Sequence, residues 1–388
     1  MNDNNENNNS YLPDWVPKNA GGEFAIKIVK GVEGGSSEPP LHSHKTILHP
    51  SAHKSKQPTA EELIKGVLDG DRTLLARTIT LIESNSIHHT LKAQEVLKKV
   101  LPYSGKSLRI GITGVPGAGK STLIEALGVY LIKQGYKVAV LAVDPSSTVT
   151  KGSILGDKTR MEKLSRENNC FIRPSPSSGT LGGVTRKSRE TILVCEAAGY
   201  NAILIETVGV GQSEVTVRSM VDFFLLVLIA GAGDELQGIK KGVIELADAL
   251  LINKADGDNE TKAKIASAEY KNALHYLQHA TKGWKTDSFT SSAVTGKGIP
   301  EIWKVIKKFE ELTIKSGVFE ERRKNQLLEW TFNMIEESLK EKFYNAQNIK
   351  NILPAIKADI LSGVKLPTAA AEELLALFFG NPSIGSTQ

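Results

Sequence analysis

The stretch Gly114-Val-Pro-Gly-Ala-Gly-Lys-Ser121 decides the fold of this chain. It follows the apolar run Leu108–Thr113 and precedes the helix-forming run Thr122–Lys133, so a buried strand enters the loop and a helix leaves it. In that context the pattern G-x-x-x-x-G-K-S is typical of a loop whose backbone N–H groups surround phosphate oxygens, assisted by the positive end of the helix. The sequence therefore predicts binding of a nucleoside triphosphate rather than an empty glycine-rich turn.

The loop predicts a contact for each of its polar groups. Lys120 reaches the β- and γ-phosphates, and the Ser121 hydroxyl coordinates Mg²⁺. The predicted phosphate contacts are Gly114, Val115, Pro116, Gly117, Ala118, Gly119, Lys120, Ser121 and Thr122.

Composition limits the classes of protein and partner that we expect. A net charge of +5 over 388 residues is too small to indicate a nucleic-acid partner. The two cysteines, Cys170 and Cys195, are too few for a disulfide framework, which favours a reducing compartment. The longest apolar stretch, Phe223–Ala230, is much shorter than a membrane helix, and the polar start predicts neither a signal nor a transit peptide. We expect a cytoplasmic protein without a membrane partner.

Four regions follow from the change of pattern along the chain. Residues 1–57 are predicted to be a flexible tail, 58–104 an N-terminal helical extension, 105–315 the nucleotide-binding domain and 316–388 a C-terminal helical region. The extension begins with a capping box at Thr59–Glu62. The tail contains a group of histidines for which metal binding is conceivable but disfavoured, since no cysteine lies near: His42, His44, His49 and His53.

The two helical regions carry more specific predictions. Gly66 and Gly70 are expected to divide the first helical pattern into two helices. In the C-terminal region, Pro354 and Pro367 are expected to separate shorter helices. The first C-terminal helix carries an apolar stripe that either packs on the core or forms a dimer interface; it consists of Leu327, Trp330, Met334 and Leu339.

Short apolar runs alternate with helical patterns through the nucleotide-binding domain. The predicted strands are Leu108–Thr113, Val138–Val143, Ala202–Glu206, Phe223–Ala230, Ala249–Asn253 and Ser288–Ser292. The predicted helices are Lys120–Gln134, Arg186–Ala198, Lys240–Leu246, Glu260–His279 and Pro300–Phe309. This alternation predicts an α/β fold with a mostly parallel central sheet flanked by helices, and ligands at the carboxyl ends of the strands.

Acidic residues stand where strands end. Asp144 follows the second strand and Asp157 lies in the loop after it, so both are candidate Mg²⁺ ligands, although a capping or solvated aspartate is the alternative. Glu206 ends the apolar strand 202–206 and is expected to hold Mg²⁺ with Ser121. The N–H of Gly209 could sense the γ-phosphate. Lys120, Asp144, Glu206 and Gly209 form the predicted catalytic set.

Asn253-Lys-Ala-Asp256 ends another strand and predicts the base. In the N-K-x-D arrangement the aspartate accepts hydrogen bonds from both guanine ring N1–H and the exocyclic amine, which adenine cannot supply together. Asn253, Lys254 and Asp256 are therefore predicted to select GTP, and the companion loop near the guanine carbonyl is Ser291, Ser292 and Ala293.

A glycine-rich charged segment, residues 231–242, separates a strand from a helix. It is either an ordinary exposed loop or the place where a partner is sensed. The residues singled out there are Asp234, Glu235, Gln237, Lys240 and Lys241.

With these motifs assembled, the chain closely resembles the methylmalonyl-CoA mutase-associated GTPases, members of the SIMIBI class of P-loop GTPases. The resemblance spans about residues 60–380. It rests on GVPGAGKST (114–122), AVDPSS (142–147), GDKTRM (156–161), ETVGVGQSE (206–214), GAGDELQGIKKG (231–242) and NKADGDN (253–259).

The resemblance implies a homodimeric GTPase that serves adenosylcobalamin-dependent methylmalonyl-CoA mutase, or a related acyl-CoA mutase, by gating cofactor loading and protecting the enzyme. It implies that Ser121, Asp144, Asp157 and Glu206 surround Mg²⁺. It also implies a second switch at 209–214 that includes Gln212, a third switch at 234–241, and dimerisation through the C-terminal helices. A transport-system ATPase or kinase, or a nucleotide-dependent scaffold with little turnover, remains the alternative.

Overall fold

The computed structural model describes residues 57–143, 161–174, 181–207, 213–231 and 241–380. Several predicted site residues lie outside these ranges, as do the four histidines at 42–53: Asp144, Asp157, Gly209, Gln212, Asp234, Glu235, Gln237 and Lys240. The elements described below belong to one compact unit that begins at Gln57.

Seven parallel strands form one sheet in this part of the chain. They are β1 (Leu108–Gly114), β2 (Val138–Val143), β3 (Cys170–Arg173), β4 (Ala202–Thr207), β5 (Phe223–Ile229), β6 (Ala249–Asn253) and β7 (Asp287–Thr290). Their order is β3-β2-β4-β1-β5-β6-β7, so β1 lies at the centre. The six predicted strands are confirmed with small shifts at their ends. The prediction missed β3, a four-residue strand at the edge of the sheet.

Helices cover both faces of the sheet. They are α1 (Ala60–Leu68), α2 (Arg72–Glu83), α3 (Ile87–Val100), α4 (Lys120–Lys133), α5 (Glu162–Ser165), α6 (Leu181–Ala197), α7 (Ser213–Arg218), α8 (Lys241–Leu246), α9 (Glu260–Leu274), α10 (Ile299–Ser316), α11 (Val318–Asn345), α12 (Gln347–Leu361) and α13 (Pro367–Phe379). Helices α4, α5 and α10 pack on one face, and α1–α3 with α6–α9 pack on the other.

The strand sequences explain this double cover. In β6, Leu250 and Ile252 enter the core beneath α6–α9, whereas Ala249 and Leu251 enter the core beneath α4 and α10. Successive side chains of a strand point to opposite faces, so a strand buried on both sides must be continuously apolar. The short, unbroken apolar runs of the sequence therefore correspond to the strands of a two-sided α/β sheet.

The N-terminal extension starts as the sequence predicts and divides at one glycine rather than two. Thr59 and Glu62 form the capping box, with Thr59 N donating to Glu62 Oε2 at 2.7 Å. Gly70 adopts φ +74° between α1 and α2, whereas Gly66 lies within α1. The expectation that Gly66 also breaks the helix is wrong: a Cβ there would lie 2.2 Å from the Leu74 Cδ1 atom, so Gly66 provides room for α2 to pack.

The C-terminal helices differ from prediction in two details. Pro354 lies inside α12, which is not broken there, whereas Pro367 starts α13 as expected. The four residues of the predicted apolar stripe do not share one environment. Trp330 and Met334 line a cavity against α6 and α7. The other two members, Leu327 and Leu339, are about half exposed. Among the described helices, even the long α11 lacks the run of apolar residues required to cross a bilayer.

Buried ion pairs gather at the edge where the strands begin. Arg109 in β1 pairs with Glu196 of α6 at 2.8 Å. The two aspartates that precede β5 and β6 also pair with arginines: Asp222 with Arg323 of α11 at 2.6 Å, and Asp248 with Arg218 of α7 at 2.8 Å. All three carboxylate side chains are completely buried. These pairs attach α6, α7 and α11 to the base of the sheet.

Candidate nucleotide-binding site

The predicted phosphate loop joins the end of the central strand β1 to α4. Val115 and Ala118 are buried beneath the loop, whereas Pro116 and Gly117 are exposed at its outer surface. Gly119 precedes α4 with φ +82°, a left-handed conformation that favours glycine. The free N–H groups in the first turn of α4 therefore lie at the carboxyl end of the central strand, and Thr122 in that turn is exposed.

Lys120, the first residue of α4, is folded back onto the loop. Its Nζ atom donates hydrogen bonds to the carbonyl oxygens of Gly114, at 2.9 Å, and Val115, at 3.2 Å. Burial lowers the pKa of Lys120, while the nearby charges of Glu206 and Glu214 raise it. A bound phosphate could replace these carbonyls as the acceptor and would supply the negative charge that a buried ammonium favours.

Ser121 and Glu206 meet at the carboxyl ends of the strands. Ser121 Oγ donates to Glu206 Oε1 at 2.8 Å, although 85 residues separate them in sequence. Glu206 is nearly buried near the end of β4. Beside it, the hydroxyl of Thr207 donates to that of Thr113 at 2.8 Å and joins the ends of β4 and β1. A hydroxyl and a carboxylate placed together are oxygen ligands of the kind that Mg²⁺ prefers.

Asn253 connects the phosphate loop to the loop after β7. Its Nδ2 donates to the Ala118 carbonyl at 2.8 Å, and its Oδ1 accepts from Ala293 N at 3.2 Å and Ser291 Oγ at 3.3 Å. A Cβ on Gly119 would lie 2.8 Å from Asn253 Nδ2, so the link requires glycine at that position. Asn253 therefore fixes the two predicted nucleotide loops relative to each other.

The remaining predicted base contacts lie around this link. Lys254 has φ +58°, the one positive φ among the described non-glycine residues. Asp256 is half-buried and precedes a short 3₁₀ turn, Gly257–Asn259, without capping it through its side chain. Ser292 is completely buried, and its Oγ accepts from Thr295 N at 3.2 Å. Asp256 thus remains available at the rim of the site.

Glu214 is a site residue to which the sequence interpretation assigned no individual role. It lies in the first turn of α7, is 2% exposed, and is close enough to Lys120 for its charge to raise the pKa of that lysine. A buried carboxylate beside the phosphate loop is chemically costly unless it faces cations or donors. The sequence feature that could have identified Glu214 is its place in the motif ETVGVGQSE. Its position in that motif alone does not distinguish a site residue from an acid that caps a helix.

The described residues fit a divalent metal only in part. No cluster of three or more His, Cys, Asp or Glu side chains lies close enough to hold an ion within the described ranges. Ser121 and Glu206 could supply two oxygens, and a nucleotide's phosphates and water would have to supply others. The predicted ligands Asp144 and Asp157 lie outside the described residues.

Two cavities lie away from this site. One, of about 620 Å³, lies between α2 and the edge strand β3 and includes Arg72, Arg77 and Phe171 in its lining. The other, of about 240 Å³, lies among α6, α7 and α11.

Comparison with known families places the site in context. Residues 75–348 match the family described as methylmalonyl Co-A mutase-associated GTPase MeaB. The chain belongs to the MeaB family. The match includes the phosphate loop, β4 with Glu206, and the Asn253–Asp256 segment, and the resemblance inferred from the motifs is confirmed.

Individual relatives agree with this assignment. The chain is 47% identical to the GTPase ArgK of Escherichia coli over 308 residues, covering 78% of this chain and 93% of the relative. It is 45% identical to the mouse methylmalonic aciduria type A homolog, mitochondrial, over 333 residues, covering 83% and 80%. A solved structure described as an LAO/AO transport system kinase superimposes with a TM-score of 0.68 at 38% identity, covering 82% of this chain and 97% of that one.

Membership of the MeaB family confirms two predictions. The fold is that of a P-loop nucleotide hydrolase with helices on both sides of a parallel sheet. The chain is a GTP hydrolase, and its nucleotide is a guanine nucleotide. The word kinase describes the protein in that solved structure and is not carried over to this chain.

Proposed function

We propose that this MeaB-family GTPase is a Mg²⁺-dependent, homodimeric chaperone of adenosylcobalamin-dependent methylmalonyl-CoA mutase or of a related acyl-CoA mutase. Its GTP cycle gates cofactor loading and protects the mutase during turnover. The family description, which names the mutase, is the observation that carries this proposal. The mouse relative, named for methylmalonic aciduria, supports it.

Three described residues carry the proposed phosphate chemistry. Lys120 exchanges its bonds to the Gly114 and Val115 carbonyls for bonds to the β- and γ-phosphates. Ser121 and Glu206, whose side-chain oxygens lie 2.8 Å apart, would supply oxygen ligands for Mg²⁺. The metal, when bound, neutralises charge on the phosphate oxygens.

Guanine recognition is assigned to Asp256. Its carboxylate is half-buried beside the loop that Asn253 fixes in place, and it would accept from the N1–H and the exocyclic amine of guanine. Asn253, Ser291 and Ser292 act mainly by holding that loop, because their polar atoms already bond to protein groups. The Ala293 N–H donates to Asn253 Oδ1, and this bond supports the proposal that the backbone of the loop lies beside the base.

The switches complete the proposal. Asp144 and Asp157 would close on Mg²⁺ from the first switch. Gly209 would sense the γ-phosphate from the second switch, which includes Gln212, and the third switch would contact the mutase. The members of the third switch are Asp234, Glu235, Gln237, Lys240 and Lys241. Of these, only Lys241 falls within a described element, where it begins α8.

The C-terminal helices are the proposed dimer surface. Leu328, Phe332, Ile335 and Leu339 recur at helical spacing on α11, and each is about half exposed or more. Phe343 packs edge-on against Phe378 of α13 with ring centroids 5.2 Å apart, so α13 supports the distal part of α11. An apolar stripe on a supported helix is suited to burial against a second copy.

The base assignment is tested by changing one carboxylate. Asp256→Asn should reduce the preference for GTP over ATP by on the order of 100-fold, because the amide donates where guanine also donates. Asp258→Asn is the matched control, since Asp258 is exposed two residues further on and should leave the preference unchanged. Wild-type protein that hydrolyses ATP as fast as GTP would contradict guanine recognition by Asp256.

The mutase assignment needs a separate experiment. Phosphate release from GTP is measured with and without the cognate mutase, and we expect the mutase to raise the rate. Adenosylcobalamin transfer to the apo-mutase is then followed by its absorbance in GDP and in a non-hydrolysable GTP analogue. A rate and a transfer yield that do not depend on the mutase or the nucleotide would reject the chaperone role and leave the GTPase intact.

A further inference from the structure

The backbone ladder that joins β1 to β4 stops short of the ends of the two strands. Within the described ranges its last pair is Ile112 with Glu206. Each strand is paired further on its other side, because β1 pairs with β5 as far as Gly114 and β4 pairs with β2 as far as Thr207. A Cβ on Gly114 would lie 2.0 Å from the Val227 carbonyl oxygen of β5, so the chain enters the phosphate loop pressed against β5. The backbone therefore holds the ends of β1 and β4 to different neighbours.

One side-chain hydrogen bond continues the link between β1 and β4 beyond that last pair. The Thr207 hydroxyl donates to the Thr113 hydroxyl at 2.8 Å, and both side chains are buried. Thr207 directly follows Glu206, and Thr113 directly precedes Gly114, where the phosphate loop begins. The bond therefore joins the residue after the candidate metal ligand to the residue before the loop.

This bond and the contact between Ser121 and Glu206 lie on opposite faces of the sheet. Side chains alternate along a strand, so Thr207 shares its face with Ile205, in the core beneath α6–α9. Glu206 shares its face with Leu204, in the core beneath α4 and α10, and accepts from Ser121 of α4 at 2.8 Å. The end of β4 is thus fixed on both faces, on one by Ser121 and on the other by the bond between the threonines.

A pair of hydroxyls allows two strand ends to approach more closely than apolar side chains do. Hydrogen-bonded hydroxyl oxygens lie about 2.8 Å apart, whereas carbon atoms in contact need about 3.5–4.0 Å. Valine has nearly the shape of threonine, so valines at both positions would hold the ends of β1 and β4 about 1 Å further apart. The separation of the phosphate loop from Glu206 therefore depends on the two hydroxyls.

We propose that Thr113 and Thr207 are positioning residues that set the gap between the phosphate loop and Glu206, and thereby the affinity of the nucleotide-bound protein for Mg²⁺. The proposal rests on the proposed function, in which Ser121 and Glu206 supply oxygen ligands for the metal. Mg²⁺ demands nearly ideal octahedral geometry at about 2.1 Å, so its affinity depends on where the carboxylate lies. The phosphate loop binds the nucleotide through its own backbone N–H groups. Loss of the bond between the threonines should therefore weaken metal binding and spare metal-free nucleotide binding.

Metal and nucleotide binding are measured separately on the full chain. Electron paramagnetic resonance gives the dissociation constant of Mn²⁺, the probe for the metal, from the GDP-bound protein, and fluorescently labelled GDP gives the nucleotide affinity in EDTA. Thr207→Val should weaken Mn²⁺ binding about tenfold, the lower end of the loss caused by removing a group that supports a metal ligand. Its metal-free GDP affinity should stay within about twofold of wild type, because the loop donors are intact. Thr207→Ser keeps the hydroxyl and should bind Mn²⁺ like the wild type.

The double variant Thr113→Val/Thr207→Val separates positioning from stability. Each single valine deprives a buried hydroxyl of this partner and should lower the unfolding temperature, whereas replacing both partners by apolar groups should restore it. Mn²⁺ binding should remain about tenfold weaker in the double variant, because the methyl groups still keep the strand ends apart. An Mn²⁺ affinity that recovers together with the unfolding temperature would overturn the positioning role.

Two further variants serve as references. Thr78→Val removes a buried hydroxyl of α2 that donates to the Leu74 carbonyl at 2.8 Å, and it should leave Mn²⁺ binding unchanged. Glu206→Gln removes the charge of the candidate ligand and should weaken Mn²⁺ binding more than Thr207→Val does. Weak binding in Glu206→Gln with wild-type binding in Thr207→Val would overturn the positioning role and leave the metal assignment standing. Wild-type binding in Glu206→Gln would reject the metal assignment and the positioning role together.

Discussion

The two edges of the sheet hold their buried charges in different ways. At the edge where the strands begin, Glu196 pairs with Arg109 of β1, and Asp222 and Asp248 each pair with an arginine from a distant helix. At the edge where the strands end, Lys120 bonds to two carbonyls of its own loop, and Ser121 bonds to Glu206. Both edges bury polar groups, and at the first each of the three carboxylates forms a direct salt bridge to an arginine.

This difference separates the charged groups that stabilise the fold from the polar groups that can bind a ligand. Charge pairs that close on one another fix helices in place and leave no group for a ligand. A lysine held by neutral carbonyls, or a hydroxyl held by a carboxylate, can exchange its partner for a phosphate or a metal without leaving a buried charge unpaired. The edge at which the strands begin should therefore control stability, and the other edge should control nucleotide binding.

The largest expected effect on stability comes from Asp248→Ala. The change leaves Arg218 and Arg322 without their shared carboxylate and the Phe224 N–H without its acceptor. Removing one partner of a buried ion pair costs about 3–5 kcal/mol, and we expect that loss in the free energy of unfolding measured with urea.

The control for Asp248→Ala is Asp287→Ala at a surface pair. Asp287 lies 3.3 Å from Lys271, and both side chains are almost half exposed. Exposed pairs contribute less than about 1 kcal/mol, so this variant should remain close to wild type. Equal losses in the two variants would remove the distinction between the buried edge and the surface.

Two glycines of the phosphate loop allow a finer comparison at the other edge. Gly117 and Gly119 both have left-handed φ, near +80°, but a Cβ meets Asn253 only at Gly119. Gly119→Ala should therefore be less stable than Gly117→Ala by about 1 kcal/mol, the value of the displaced hydrogen bond between Asn253 and Ala118. Thermal unfolding without nucleotide is the measurement, and equal unfolding temperatures would show that the Asn253 link is dispensable.

Lys120 gives a pH-dependent effect of smaller size. Burial lowers the pKa of Lys120 in the folded protein below its ordinary value of 10.5. Below the folded pKa the charged form therefore destabilises the nucleotide-free protein, and this loss disappears as pH rises through 10.5. The wild type should gain stability relative to Lys120→Met as pH is raised from about 7 to about 10. A stability difference that is constant with pH would show that Lys120 is not desolvated.

The smallest expected effect concerns the two cysteines, which we expect to remain unmodified by a thiol reagent in the native protein. Burial raises the pKa of Cys170 to about 12 and that of Cys195 further. At pH 8 the thiolate of Cys170 is then present in about one molecule in ten thousand, so iodoacetamide should modify neither thiol of the native protein. Mass spectrometry should find both modified in urea and no change on adding GDP. Rapid native labelling would show that this part of the sheet opens.

Much of the fold follows from local sequence. The apolar runs at β1, β4 and β6 are continuous, because strands covered on both faces expose no polar side, and each was predicted nearly to its ends. β3 was missed because four residues at an edge have too short a pattern to show a period. Pro354 was misread because a helix can continue through a proline where tertiary contacts support it.

The site was predicted by motif, but its connections were not. Ser121 and Glu206, both singled out from their positions at strand ends, form a hydrogen bond of 2.8 Å, while their role toward a nucleotide stays a prediction. The bond from Asn253 to Ala118 joins residues 135 apart, and the ion pair of Asp222 with Arg323 joins residues 101 apart. Such partners are brought together only by the topology of the sheet, and a single sequence contains no local pattern that pairs them.

The most direct test of the division between the two edges is the affinity for fluorescently labelled GDP in Lys120→Met and Arg323→Met. Each variant removes one cation, the buried Lys120 at the phosphate loop or the partly buried Arg323 at the base of the sheet. Lys120→Met should lose at least about 100-fold in affinity, the value of two charge-assisted hydrogen bonds. The folded Arg323→Met variant should bind labelled GDP with an affinity within threefold of that of the wild type. Wild-type affinity in Lys120→Met would contradict the account.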